Sequence, residues 1–168
     1  IASEKGYVSE IVTDEMVRNC NFNGNHRRDG WLKLSDFPAL VEQLEKTTGI
    51  GREFYENINV VEYKENVKHD THFTAYNLDS DTGKKYTARQ GQRMFTISMS
   101  LCDDMTIEFP VLNKSFTMNK GEMLFYNNIT YGGTSRNANM SRKIVCSKGT
   151  GYLANIYIRY KDTSGKFI

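Results

Sequence analysis

Residues 69–76 read HDTHFTAY, which places His69, Asp70 and His72 within four positions. The chain holds one further histidine, His26. Two imidazoles and a carboxylate are the donors that hold a divalent transition metal by one face and leave its other positions open for substrate. In an extended strand alternate side chains share a face, so Asp70, His72 and Thr74 would line one side and His69 the other. A third ligand would then come from Cys146, Asn139 or an acid in a loop, with Lys148 in reach of a carboxylate ligand. Arg93, in the stretch GQR, reads either as a contact to a bound anion or as a structural ion pair or loop anchor.

The elements that must position these residues follow from pattern and punctuation. One helix is predicted over SDFPALVEQLEKTTG, with Ser35 or Asp36 as cap, Pro38 in the first turn and Gly49 as the stop. Its Phe37, Leu40, Val41 and Leu44 fall at helical spacing and make one apolar stripe. Beyond Gly51 the period changes to two, and INVVEY, VKHDTHFTAY, QRMFTISMSL, TIEFPVL, KSFTM, EMLFYN and YLANIYIRY read as strands. NLDSDTGKK, CDD, NKG and NITYGGTSRNANMS read as turns and loops between them. Trp31, Phe37, Phe54 and Tyr55 are expected to pack between helix and sheet. A helical part followed by short strands predicts an α+β domain built on a β-sandwich or open barrel.

Bulk properties narrow the function. A chain of 168 residues can bury a core as a single domain. Its net charge of +2 comes without any long like-charged block, which argues against a nucleic-acid partner. No apolar run approaches the length of a membrane span. Cys20, Cys102 and Cys146 are odd in number and far apart, so neither a zinc ribbon nor a disulfide framework is indicated. They are expected to be reduced, mostly buried thiols in a cytosolic-type compartment. The opening IASEKGYVSE has no leader pattern and no initiator methionine, which predicts a processed or trimmed chain.

From Arg27 onward six segments occur in a fixed order: RRDGWLKLSDFPALVEQLEKTTGI, VVEYKENVKHDTHFT, GQRMFTISMSLCDD, EFP, NKGEMLFYN and SKGTGYLANIYIRY. That order resembles the catalytic domain of the prolyl 4-hydroxylases, the iron(II)- and 2-oxoglutarate-dependent dioxygenases, over most of the chain. The resemblance implies a double-stranded β-helix (jelly roll, cupin-like) with N-terminal helices packed on one sheet. It spans residues 1–168 as one domain, with a helical part over 1–50 and a β core over 51–168.

The resemblance also implies where the site residues should stand. The tyrosine of the family's strand falls on Tyr63 and the first metal-binding histidine on His72. The family's aspartate falls on Thr74, its distal histidine on Ser141, and the basic residue for the cosubstrate carboxylate on Gly151. No histidine follows His72. The carboxylate, the second imidazole and the cosubstrate's counter-charge are thus lost together.

The expectation is a degenerate, non-catalytic relative reused as a binding or structural module, with a protein partner and no cofactor. Its setting would be the cytoplasm or a large assembly such as a virus particle. The alternative is an active dioxygenase hydroxylating a protein or peptide side chain. In that case Fe(II) would be held by His72 and Asp70, and 2-oxoglutarate by Arg93 or Lys148.

Overall fold

The computed structural model describes residues 2–4, 8–25, 27–65, 67 and 70–168. In chain order the elements are β1 (Ala2–Glu4), α1 (Glu10–Asn19), β2 (Arg28–Leu32), α2 (Pro38–Thr48), β3 (Ile58–Lys64) and α3 (Asp81–Thr87). They continue with β4 (Arg93–Ser100), β5 (Met105–Phe109), β6 (Lys114–Met118), β7 (Met123–Asn127), β8 (Lys143–Cys146) and β9 (Thr150–Arg159). Six strands form one antiparallel sheet in the order β1-β7-β4-β9-β3-β2, and three form a second in the order β6-β5-β8. This is the jelly-roll architecture that the segment order implied.

Alternation along the central strands divides the core into two layers. Ile58 and Val60 of β3, Ile97 and Met99 of β4, and Ala154, Ile156 and Ile158 of β9 point to the helices. There they meet Met16 of α1 and Leu40 and Leu44 of α2. Residues of the opposite parity, including Val61, Tyr63 and Leu153, point to the small sheet and pack on Met105, Ile107, Phe109 and Ile144. Both faces of β3, β4 and β9 are therefore largely buried, and the second interior, between the sheets, is where a site can be enclosed.

Helix α2 starts at Pro38 and stops at Gly49, whose φ of 72° suits a residue without Cβ. The expected caps Ser35 and Asp36 belong instead to a 3-10 turn over Leu34–Asp36, and Phe37 is the N-cap without a side-chain hydrogen bond. NLDSDTGKK is not only a turn: Ser80 Oγ accepts from the Gly83 amide at 2.9 Å and opens α3. Residues 1–50 contribute strands β1 and β2 as well as helices. Phe37, Phe54 and Tyr55 are buried as expected, but Trp31 points outward from β2 and is 52% exposed. The three cysteines are free thiols.

Candidate functional site

The segment VKHDTHFTAY was expected as a strand, and the structure corrects this. Among its described residues the ladder contact is an isolated antiparallel bridge between His72 and Arg142. The His72 amide donates to the Arg142 carbonyl at 2.9 Å, and the Arg142 amide donates to the His72 carbonyl at 2.8 Å. Without a continuous strand, alternation does not bring Asp70 and His72 together. Asp70 is exposed, His72 is half-buried, and Thr74 is buried. His72 Nδ1 lies 3.3 Å from the Asp70 carbonyl oxygen. His69 and His26 lie outside the described residues.

A residue pair that exchanges both backbone hydrogen bonds carries its side chains on one face, with Cα atoms about 5.5 Å apart. Arg142, not Ser141, is therefore the residue across from His72. The Arg142 side chain enters the space between the sheets and is only 2% exposed. Its Nη1 donates to Ser98 Oγ at 3.2 Å and lies 3.5 Å from Asn155 Oδ1. The guanidinium stands 5.7 Å from the centre of the Tyr126 ring. Ser98 and Asn155 face each other across β4 and β9, and Ser98 Oγ donates to Asn155 Oδ1 at 2.8 Å.

No ion pair to Arg142 exists among the described residues, although a guanidinium stays charged throughout the working pH range. Nor do the surrounding tyrosines compensate it by ionising. Burial pushes Tyr63 up to about 12 and raises Tyr126 as well, with the nearby Arg142 charge only partly opposing it. Three buried polar atoms in this region lack a hydrogen-bond partner: Arg142 Nε, Asn155 Nδ2 and Thr74 Oγ1. Arg142 escaped the sequence reading because it sits just before β8 in a polar stretch. The parity of 142, 144 and 146 was the available signal, since Ile144 and Cys146 both point inward.

Arg93 stands close by, its Nη1 donating to the Thr74 carbonyl at 3.4 Å. Arg93 forms a bidentate pair with Glu56, Nε to Oε2 at 2.7 Å and Nη2 to Oε1 at 2.9 Å. It is stacked between Tyr157 and Tyr76, 3.9 and 4.6 Å from the ring centres. Arg159 Nη1 shares the same carboxylate at 3.2 Å. Arg93 thus makes the structural ion pair that was one of its two sequence readings.

Lys148 lies in the exposed turn after β8, at the opposite end of that strand from Arg142, about 20 Å along an extended chain. Asn139 is exposed on a 3-10 turn, and Cys146 also sits at the far end of β8. Gly151, where the resemblance puts the cosubstrate's basic residue, is covered by sulfur. A Cβ there would stand 2.6 Å from Met105 Sδ, 2.9 Å from Cys146 Sγ and 3.1 Å from Cys102 Sγ.

No family model matches the sequence. No curated protein matches it either. Solved structures do match. The viral collagen prolyl hydroxylase of Paramecium Bursaria Chlorella virus-1, solved with 2OG, superposes with a TM-score of 0.70 at 16% identity, covering 94% of each chain. A Pseudomonas putida prolyl-4-hydroxylase gives 0.61 at 10% identity, covering 94% of this chain and 91% of that one. A Trichoplax adhaerens prolyl hydroxylase, solved with a hypoxia inducible factor peptide fragment, gives 0.60 at 10% identity, covering 98% and 84%. At these identities the match establishes the fold: this chain has the prolyl 4-hydroxylase-like double-stranded β-helix.

The donor set at the corresponding place does not fit Fe(II). Among the described residues no three His, Cys, Asp or Glu side chains converge. The residue bridged to His72 is Arg142, whose guanidinium has no lone pair to give a metal, and the family's aspartate position holds Thr74, a neutral hydroxyl. A dication next to Arg142, with no carboxylate to offset either charge, would meet strong repulsion in a low-dielectric interior.

Proposed function

We propose that this domain is a prolyl 4-hydroxylase-like fold that does not carry out hydroxylation and serves as a binding or structural module for a protein partner. The observation that supports this reading is Arg142. Its fixed positive charge lies buried between the sheets with no carboxylate beside it among the described residues, which disfavours a metal dication at His72. A rigid jelly roll is readily reused for interaction, since fold does not fix function. Trp31 and Tyr131 stand exposed on its surface, and such aromatic residues are enriched at protein interfaces.

The test is to add Fe(II) anaerobically with 2-oxoglutarate and follow both the metal-to-ligand charge-transfer absorption and the melting temperature. The expected result is no charge-transfer band and an unchanged melting temperature, because a ligand bound by the folded state must stabilise it. A band with near-stoichiometric iron would overturn the proposal.

A further inference from the structure

Three sulfur atoms converge at a second place, far along β8 from Arg142. Strand pairing sets Met105 of β5 directly opposite Cys146 of β8. Cys102 stands in the turn that leads into β5, and Gly151 near the start of β9 runs beneath all three. Because Gly151 has no side chain, Met105 Sδ, Cys146 Sγ and Cys102 Sγ close over it, each within 3.1 Å of the position a Cβ would take. The thiols make long sulfur contacts: Cys102 Sγ donates to the Tyr152 carbonyl at 3.9 Å, and Cys146 Sγ lies 3.6 and 3.8 Å from the Lys148 and Gly149 carbonyls.

We propose that Cys102, Cys146 and Met105 form a binding site for a soft monovalent metal ion of the Cu(I) class, seated over Gly151. Two thiolates and a thioether are the donors that select Cu(I) over harder ions, and three of them suit its low coordination number. Metal–sulfur bonds of about 2.3 Å require the three side chains to close in by modest rotamer adjustments, without moving the strands. Met105 is fully buried and Cys146 nearly so, while Cys102 is partly exposed and offers the entry point.

Binding displaces the two thiol protons to solvent and leaves a Cu(I) dithiolate with one net negative charge, with no change of oxidation state. Because binding releases protons, affinity should climb with pH. This site is independent of the hydroxylase-like centre and goes beyond the proposed binding role.

The experiment is a competition titration of the reduced protein with Cu(I) under anaerobic conditions, using a chromogenic Cu(I) chelator. One equivalent should be retained, and X-ray absorption at the copper edge should report three sulfur neighbours at about 2.3 Å. Cys102→Ser should weaken binding by about 100-fold or more and Met105→Leu by about 10-fold, while Cys20→Ser changes nothing. Failure to compete, retention unaffected by Cys102→Ser, or nitrogen and oxygen neighbours in the absorption spectrum would each overturn the proposal.

Discussion

The backbone of His72 is locked to that of Arg142 by two hydrogen bonds of 2.9 and 2.8 Å, so an imidazole and a guanidinium share one face at the mouth of the inter-sheet space. The arrangement sets a permanent charge beside the histidine that the resemblance marks as a first metal ligand. The charge is buried, and its nearest polar neighbours are neutral: Ser98, Asn155 and the Tyr126 ring.

A buried charge without a counter-ion destabilises, and replacing it by an apolar side chain of similar length often raises stability by about 1–4 kcal/mol. Arg142→Met should therefore match or exceed the native protein in its urea midpoint. Ser98 and Asn155 remain bonded to each other in that variant. Arg142→Ala, by contrast, opens a cavity and should lose about 2–4 kcal/mol. If Met costs as much as Ala, the guanidinium is compensated by something in solution and the uncompensated reading fails.

The ion pair around Glu56 behaves in the opposite sense. Glu56 accepts from both Arg93 and Arg159, whose side chains are largely buried. Glu56→Gln leaves two guanidinium groups facing a neutral amide, and should cost about 2–4 kcal/mol in a denaturant melt. Lys46→Ala, which breaks an exposed pair with Glu42, should leave the midpoint nearly unchanged. Equal losses in the two variants would contradict the placement of Glu56.

These two arginines also mark what the sequence could and could not reveal. Strand parity made the fold legible: the alternation in INVVEY, QRMFTISMSL and YLANIYIRY predicted β3, β4 and β9, whose two faces then defined both core layers. β2 and β8 were not read as strands, since RDGWL has a glycine at its centre and KIVC is only four residues long. The site was harder. His72 was found because histidines are rare in this chain, but its partner is set by a single bridge outside any long strand. The only local signal for Arg142 was its shared parity with Ile144 and Cys146 over a four-residue strand.

Gly151 connects the missing cosubstrate contact to the sulfur cluster. A methyl group there would overlap Met105 Sδ at 2.6 Å and press on both cysteine sulfurs. Gly151→Ala should cost about 1–3 kcal/mol through overpacking. The double variant Gly151→Ala with Cys102→Ala should recover part of that loss, because it removes one of the overlapping atoms. An unaltered melting temperature for the single variant would mean that the sulfur atoms do not close over the glycine.

Alkaline pH should unfold the protein through the tyrosines of the inter-sheet space. Tyr63 is held at about 12 when folded, chiefly by burial, whereas an unfolded tyrosine ionises near 10. Below about pH 10 both states keep the phenol proton, and the stability that goes with the neutral buried ring is fully present. Between about pH 10 and 12 the unfolded chain ionises while the folded one does not, so the equilibrium shifts toward unfolding by about 2–3 kcal/mol for this residue. Tyr126 moves in the same direction for the same reason and adds to the slope. Urea melts across this range should show a falling midpoint, and Tyr63→Phe should flatten it by removing one titrating group. A slope unchanged by that substitution would show that Tyr63 ionises alike in the folded and unfolded chain, and that the space around Arg142 is wetter than its burial implies.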